Sequence, residues 1–240
     1  MIDLERIHQT PLEPVVPAGC LTGLLPPEPG WQPGDCSPLF SSDWEIPEAE
    51  WSNWRSARGM IDHVPHVFRQ QYGSCAAESA VSGLHVMRQK VGVPFVLLNP
   101  LFAYHYTSGG ADRGSTLDGN LRVLREQGCP PESVWPYRNG FRTRPSADAI
   151  EAAKPYRIEE FYEIRSKRQF VSALLQGYVV ACGSRGHAIL AVHYDGTDYP
   201  IVLNTWGTTW GEGGFGRWDR YDALWRTYRA FAYRNARIDQ

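Results

Sequence analysis

Three residues of the 240-residue chain have the types and places for nucleophilic catalysis: Cys75, His187 and Asn204. Cys75 ends the turn Gln70-Gln71-Tyr72-Gly73-Ser74 and opens a helix-forming run, Ala76 to Gln89. A helix start offers unpaired N–H groups and the positive end of the dipole, and both favour a thiolate over a thiol. A thiolate needs a base, and the base needs an orienting group. His187 opens one apolar run and Asn204 closes the next. If those runs are neighbouring antiparallel strands, the two side chains stand together. His187 would then take the Cys75 proton, and Asn204 would fix the plane and tautomer of the imidazole. The thiolate would attack a carbonyl, with the backbone N–H of Cys75 stabilising the oxyanion.

The elements that must position these groups fall in two halves. In the first, Ala76, Ala80, Leu84 and Met87 recur at helical spacing, and Gly92 with Pro94 end that helix. Asn99-Pro100 caps a short helix through Tyr106. Ser115-Thr116-Leu117-Asp118 reads as an acidic capping box, opening a helix that ends at Gly128. In the second half, Phe170 to Gln176 is one more helix. The runs 178–182, 187–194, 200–204 and 215–218 read as strands of one antiparallel sheet, with 228–237 as a candidate last strand. Helices followed by strands predict an α+β protein of two lobes. The helical lobe is expected at about 60–135 and the β lobe at about 155–235, within a domain spanning 46–240. Residues 1–45 hold eight prolines and show no helical or strand period. They are expected either as a loose leader or as an arm along the domain or across its groove.

Net charge −2 and the lack of any Lys/Arg run longer than two argue against nucleic acid as a partner. No apolar stretch of about 18 residues exists to span a membrane. The five cysteines are scattered without a C-x-x-C pair, so no metal, cofactor or disulfide framework is expected, although a Cys20–Cys36 bridge stays open. Cys129 and Cys182 read as buried free thiols. With no basic-then-apolar start, a cytoplasmic or virion-associated protein is expected. His193 shares the strand face of His187 and is expected to pack or meet solvent. His63 and His66 read as surface-loop residues, and Asp112, Arg113 and Glu212 as solvated loop charges.

Gly73-Ser74-Cys75 resembles the nucleophile motif of papain-like cysteine peptidases, and 187–194 is similar to that family's histidine strand. Asn204-Thr205-Trp206-Gly207-Thr208-Thr209-Trp210-Gly211-Glu212-Gly213-Gly214-Phe215 resembles the family's asparagine segment, N-S-W-G-x-x-W-G-x-x-G-Y/F. Trp135-Pro136-Tyr137 and Trp54-Arg55 are similar to its Y-P-Y and D-W-R steps. The resemblance runs over about 46–235 in family order. It implies a helical lobe facing a barrel-like β lobe with the site between them, and a peptide or protein substrate cleaved at peptide or isopeptide bonds. It also implies that Trp206 shields the Asn204–His187 hydrogen bond. Gly73 would line the groove, Gly114-Ser115 would take the place of a substrate-binding Gly-Gly pair, and the N-terminal arm could occupy the groove.

The chain departs from the family pattern in places. Arg69 stands where the oxyanion glutamine is expected, so Gln70, with Gln71 next, is the candidate. Ala76 replaces an aromatic residue and Glu78 an apolar one. The Cys75–His187 spacing, 187 − 75 = 112, is shorter than the roughly 130 residues usual in the family, as in compact microbial or phage-encoded relatives. A catalytically weak papain-fold scaffold and a cell-wall peptide amidase are the alternative readings.

Overall fold

The computed structural model describes residues 2–9, 16, 22–27 and 39–236. Its helices are α1 (Leu4–Gln9), α2 (Trp51–Trp54), α3 (Cys75–Lys90), α4 (Leu101–Thr107), α5 (Leu117–Glu126), α6 (Ala147–Ala153), α7 (Lys167–Leu175) and α8 (Tyr221–Arg226). The strands are β1 (Ile158–Ile164), β2 (Val179–Ser184), β3 (His187–His193), β4 (Ile201–Leu203), β5 (Phe215–Arg217) and β6 (Ala230–Ala236). They form one antiparallel sheet in the order β1-β6-β2-β3-β4-β5. The fold is α+β, as expected. The β lobe is an open sheet with β1 and β5 at its edges rather than a barrel-like closure, because those two strands do not pair with each other.

The two faces of the sheet carry separate cores. Along β3, Ala188, Leu190 and Val192 point to the helical lobe and pack with α3. Ile189 and Ala191 point the other way, toward Phe170, Trp218, Tyr221 and Trp51. A strand buried on both faces loses the apolar/polar alternation of a half-exposed one, and β3 is buried throughout. Helix α3 is likewise buried on every side from Cys75 to Met87. Its Gly83 fits because a Cβ there would lie 2.7 Å from the Tyr233 ring, whose hydroxyl donates to Ala80 O. Truncating a residue such as Leu84 in this helix would cost about 2–5 kcal/mol.

Several local features differ from the sequence reading. The capping residue of α5 is Thr116, which accepts from Gly119 N, one position after the expected Ser115. Ser115 Oγ is instead taken by Asn120 Nδ2. Asn99 does cap α4, accepting from Leu101 N. Residues 4–9 are helical despite their lack of a period. Asp3 Oδ1 accepts from Glu5 N at this helix start, and Ile7 is fully buried. A single and a half turns with one anchoring apolar residue leave no periodic signal to read. Strand β1, IEEFYEI, was not anticipated either, since its charged residues break the apolar run.

Residues 2–9, 22–27 and 39–45 touch the rest of the chain. α1 sits beside β5, with His8 paired to Asp195 at 2.8 Å. Leu24 forms a parallel bridge with Ser115 and Leu39 with Glu163. Phe40 is buried beneath the sheet's outer core. Cys75, Cys129 and Cys182 are buried free thiols; Cys20 and Cys36 lie outside the described residues. No helix among the described residues is long and apolar enough to cross a membrane.

Candidate active site

The sheet places two of the polar groups by register. Arg185 (φ 53) and Gly186 (φ 76) form the two-residue turn between β2 and β3, with Ser184 opposite His187. Positive φ at both positions is the hairpin geometry that matches strand twist, and glycine takes it without Cβ strain. Arg185 is held there by two bonds to Asp219. His187 therefore stands at the first position of β3. On the neighbouring strand Leu203 pairs with Leu190, so Asn204 follows directly after β4, with its N–H on Gly214 O.

The bond between these side chains fixes the protonation pattern. Asn204 Oδ1 accepts from Thr205 N at 2.7 Å, a group that can only donate, so the oxygen is identified. The same oxygen meets His187 Nε2 at 2.8 Å, and Nε2 must therefore carry the hydrogen. In the neutral ring Nδ1 is then a bare lone pair, and it is buried without a hydrogen-bond partner. Trp206 stacks on the imidazole with centroids 4.3 Å apart, and Trp218 closes a further side at 5.3 Å. The Trp206 indole thus covers one face of the imidazole beside the His187–Asn204 bond.

The helix side is held differently. Cys75 is the first residue of α3, and the backbone N–H groups of Ala188 and Gly23 face its sulfur. Gly73 N donates to Asp112 Oδ1 at 2.7 Å. Tyr104 OH donates to the same oxygen and accepts from Gly114 N. Asp112, 39 residues from Gly73 in sequence, is thus not a free loop charge: it ties the nucleophile turn to the Gly114-Ser115 edge. Gln70 is buried, with its N–H on Thr205 O, its Oε1 taken by Thr205 Oγ1 and its Nε2 donating to Tyr72 O. Gln71 is exposed and lines a pocket with His66, Phe68 and Tyr137. Only Gln70 of the two adjoins Asn204 and Thr205. His193 packs at Gly59, and His66 stacks with Phe95. No group able to hold a metal ion is found among the described residues.

Residues 22–27 lie across this site. Gly23 N and Leu24 N donate to Gly186 O on the sheet side, while Ser115 N donates to Gly23 O at 2.8 Å and Leu25 N to Ser115 O at 3.0 Å. The strap is so close that a Cβ on Gly23 would stand 2.0 Å from Gly73 O. Leu24 is buried, its side chain against Gly183. Beyond Ser115 the groove opens into a cavity of about 700 Å³ lined by Leu25, Pro26, Tyr106, Arg113 and Arg122. Cys75 and His187 are both inaccessible under this cover. Burial pushes the Cys75 thiol up to about 12, against the pull of the facing N–H groups, and Glu78 adds to the rise. Burial likewise pushes His187 down to about 4, with the Asn204 bond opposing. The covered pair is therefore a neutral thiol and a neutral imidazole.

The pattern described as "Papain family cysteine protease" matches residues 163–227. Cysteine endopeptidase Rep1 of Oryza sativa subsp. japonica is 50% identical over 228 residues, covering 81% of this chain and 57% of the relative. The senescence-specific cysteine protease SAG39 of Oryza sativa subsp. indica is 47% identical over 195 residues, 70% of this chain and 57% of the relative. The chain spans about half the length of the curated relatives it matches. Among solved structures, xylellain, a cysteine protease from Xylella fastidiosa, superposes with TM-score 0.70 at 19% identity, covering 96% of this chain and 100% of that one. Digestive procathepsin L 3 of the Tenebrio molitor larval midgut gives 0.64 at 16% identity, over 85% and 75%. The rice relatives and the Tenebrio molitor neighbour overturn the cytoplasmic or virion-associated expectation, for they are plant and animal papain-like proteases, a group typically secreted or vacuolar. That expectation leaned on scattered cysteines and the first few residues, neither of which fixes a compartment. The chain belongs to the papain-like cysteine peptidase family.

Proposed function

We propose that this chain hydrolyses peptide or isopeptide bonds through an acyl-enzyme on Cys75, with residues 22–27 covering the groove in the state described. The observation that carries it is the His187 ring: Nε2 committed to Asn204 Oδ1, Nδ1 buried and bare beside the N-terminus of α3. Nδ1 takes the thiol proton, the imidazolium is held by Asn204, and the thiolate attacks the substrate carbonyl. The backbone N–H of Cys75 and Gln70 Nε2 stabilise the oxyanion once Gln70 turns from Tyr72 O. The imidazolium then protonates the leaving amine. Water, deprotonated by the same Nδ1, releases the acid product.

The substrate backbone takes the place of Gly23 and Leu24, along Gly73 and the Gly114-Ser115 edge. The pocket over Gly183 that Leu24 fills would take a substrate side chain of similar size. The strap is an occupant rather than a substrate in this position, because Gly23 O is held by Ser115 N and does not point to the oxyanion donors. On this reading residues 1–45 are an inhibitory arm and 46–240 the peptidase domain. Solved proforms and a precursor of other papain-like proteases share the fold, which supports an N-terminal segment in the groove. The names of the relatives favour neither an inactive scaffold nor a cell-wall amidase.

The test is iodoacetamide alkylation of Cys75 at pH 6 in the full chain, together with cleavage of a fluorogenic peptide panel. Wild type should react slowly. Gly23→Val, which cannot sit against Gly73 O, should react at least 10-fold faster and cleave peptides. Gly23→Val combined with His187→Ala should fall back by about 10³-fold. Equal reactivity with and without His187 would sink the proposed pair.

A further inference from the structure

Ser74 is in the N-cap position of α3, yet its side chain makes no capping bond to the helix backbone. A serine there ordinarily spends its oxygen on the N–H of the second or third helical residue. Instead Ser74 Oγ donates to Glu78 Oε1 at 2.9 Å, and Tyr137 OH donates to the same oxygen at 2.8 Å. Glu78 is fully buried, one helical turn below Cys75, and its Oε2 has no hydrogen-bond partner. Both hydroxyls are thus spent on one oxygen while the other is sealed off.

We infer that Glu78 is a positioning residue of the site: a carboxylic acid kept neutral, whose carbonyl oxygen joins Ser74 to Tyr137 and so sets the turn that carries Cys75. The inference rests on the Cys75 reading above. A carboxylate would leave a fully buried charged oxygen with no cationic side chain paired to it among the described residues, whereas the neutral acid leaves only one O–H unspent. Burial is accordingly the main influence on this group, raising it to about 8 against the pull of the Tyr137 and Ser74 bonds.

The groups around it set what its ionisation does. Ser74 and Cys75 face it from the start of α3, and Tyr137 faces it from the 137–139 turn. Two turns further along α3 is His85, which burial keeps neutral. His187 stands across the cleft. A negative charge at Glu78 opposes the Cys75 thiolate and competes for the Ser74 hydroxyl, so the site is set for use while the acid holds its proton.

The test uses the full chain. Infrared difference spectra should show a protonated carboxyl C=O band at pH 6.5 that titrates near pH 8 and is missing in Glu78→Gln; a band titrating near pH 4.5, or none, overturns the inference. Alkylation of Cys75 is then followed from pH 6.5 to 9 in the Gly23→Val background. Glu78→Gln, which keeps the accepting oxygen, should stay within about 3-fold of its parent at pH 6.5 and exceed it at least 3-fold at pH 9. Glu78→Leu should lose at least 10-fold at pH 6.5, with circular dichroism reporting whether it folds. A Gln/Glu rate ratio that is flat with pH overturns the inference even if Glu78→Leu does not fold. Loss of the His187 dependence in the same background would instead remove the catalytic reading itself, so the two failures are separable.

Discussion

The wall of the site that carries His187 is fixed by backbone register, whereas the wall that carries Cys75 is fixed by side chains. On the sheet side, a two-residue turn, a strand pair and the bond from Asn204 N to Gly214 O put His187, Asn204 and Trp206 in place. On the helix side, Asp112 holds Gly73, Glu78 and Tyr137 hold Ser74, and Thr205 holds Gln70. A register cannot be shifted a little without turning side chains to the other face. A turn held by four side-chain bonds can be loosened one bond at a time. The difference suggests that the base is invariant in position while the nucleophile is adjustable, and substitutions on each wall test this.

Of the groups that position the base and the nucleophile, Asn204 should give the larger effect, on replacement by alanine. The substitution strips two buried donors, His187 Nε2 and Thr205 N, of the acceptor they share among the described residues. Alkylation of Cys75 at pH 6 in the Gly23→Val background should fall about 100-fold as the ring loses its tautomer. Unfolding by denaturant should show a loss of about 1–3 kcal/mol. If the activity falls without any loss of stability, register is not what secures this wall.

A smaller effect is expected from Asp112→Ala on the opposite wall. Gly73 N and Tyr104 OH, both buried, lose their common acceptor, but Asp112 itself is exposed, so water can enter the space its side chain leaves. A reactivity loss of about 10- to 30-fold, with stability changed by no more than about 1 kcal/mol, would mark this as adjustment rather than collapse. A loss as large as that of Asn204→Ala would break the contrast between the walls.

The same contrast explains what the sequence could reveal. The sheet wall is built from consecutive residues, so 204–215 carried its own signature, and His187 at the head of an apolar run was readable as strand-borne. The supports of the helix wall come from positions 70, 78, 112, 137 and 205, which no local period connects. Asp112 sits in a Gly-rich loop and has the pattern of a solvated charge; only the approach of Gly73 makes it a tether. Gln70 and Gln71 are indistinguishable as letters and are separated by burial alone. The α+β class followed from the order of apolar runs. The openness of the sheet did not, because closure depends on whether β1 and β5 meet and not on either sequence. Strand β1 was hidden for a related reason: Glu163 is buried in it by an ion pair with Arg229, a partner 66 residues away.

The smallest predicted effect concerns stability against pH, and its sign separates the walls once more. His187 is held down to about 4 and His85 to about 3, each from an ordinary 6.5. Both bind fewer protons folded than unfolded, so stability is lost as pH falls from 6.5 toward those values. Glu78 is held up to about 8 from 4.5 and binds more protons folded than unfolded, so its contribution is full below pH 4.5 and is lost as pH rises toward 8. Between pH 4.5 and 6.5 two histidines outweigh one glutamate, and stability rises with pH. Above 6.5 the histidine contributions level off while that of Glu78 keeps falling, so between pH 6.5 and 8 the wild-type full chain should lose about 1.5 kcal/mol relative to Glu78→Gln. Denaturant melts of wild type and Glu78→Gln at these two pH values measure it. The fall belongs to the helix wall if Glu78→Gln removes it, and a fall that persists in the glutamine variant assigns it elsewhere in the chain.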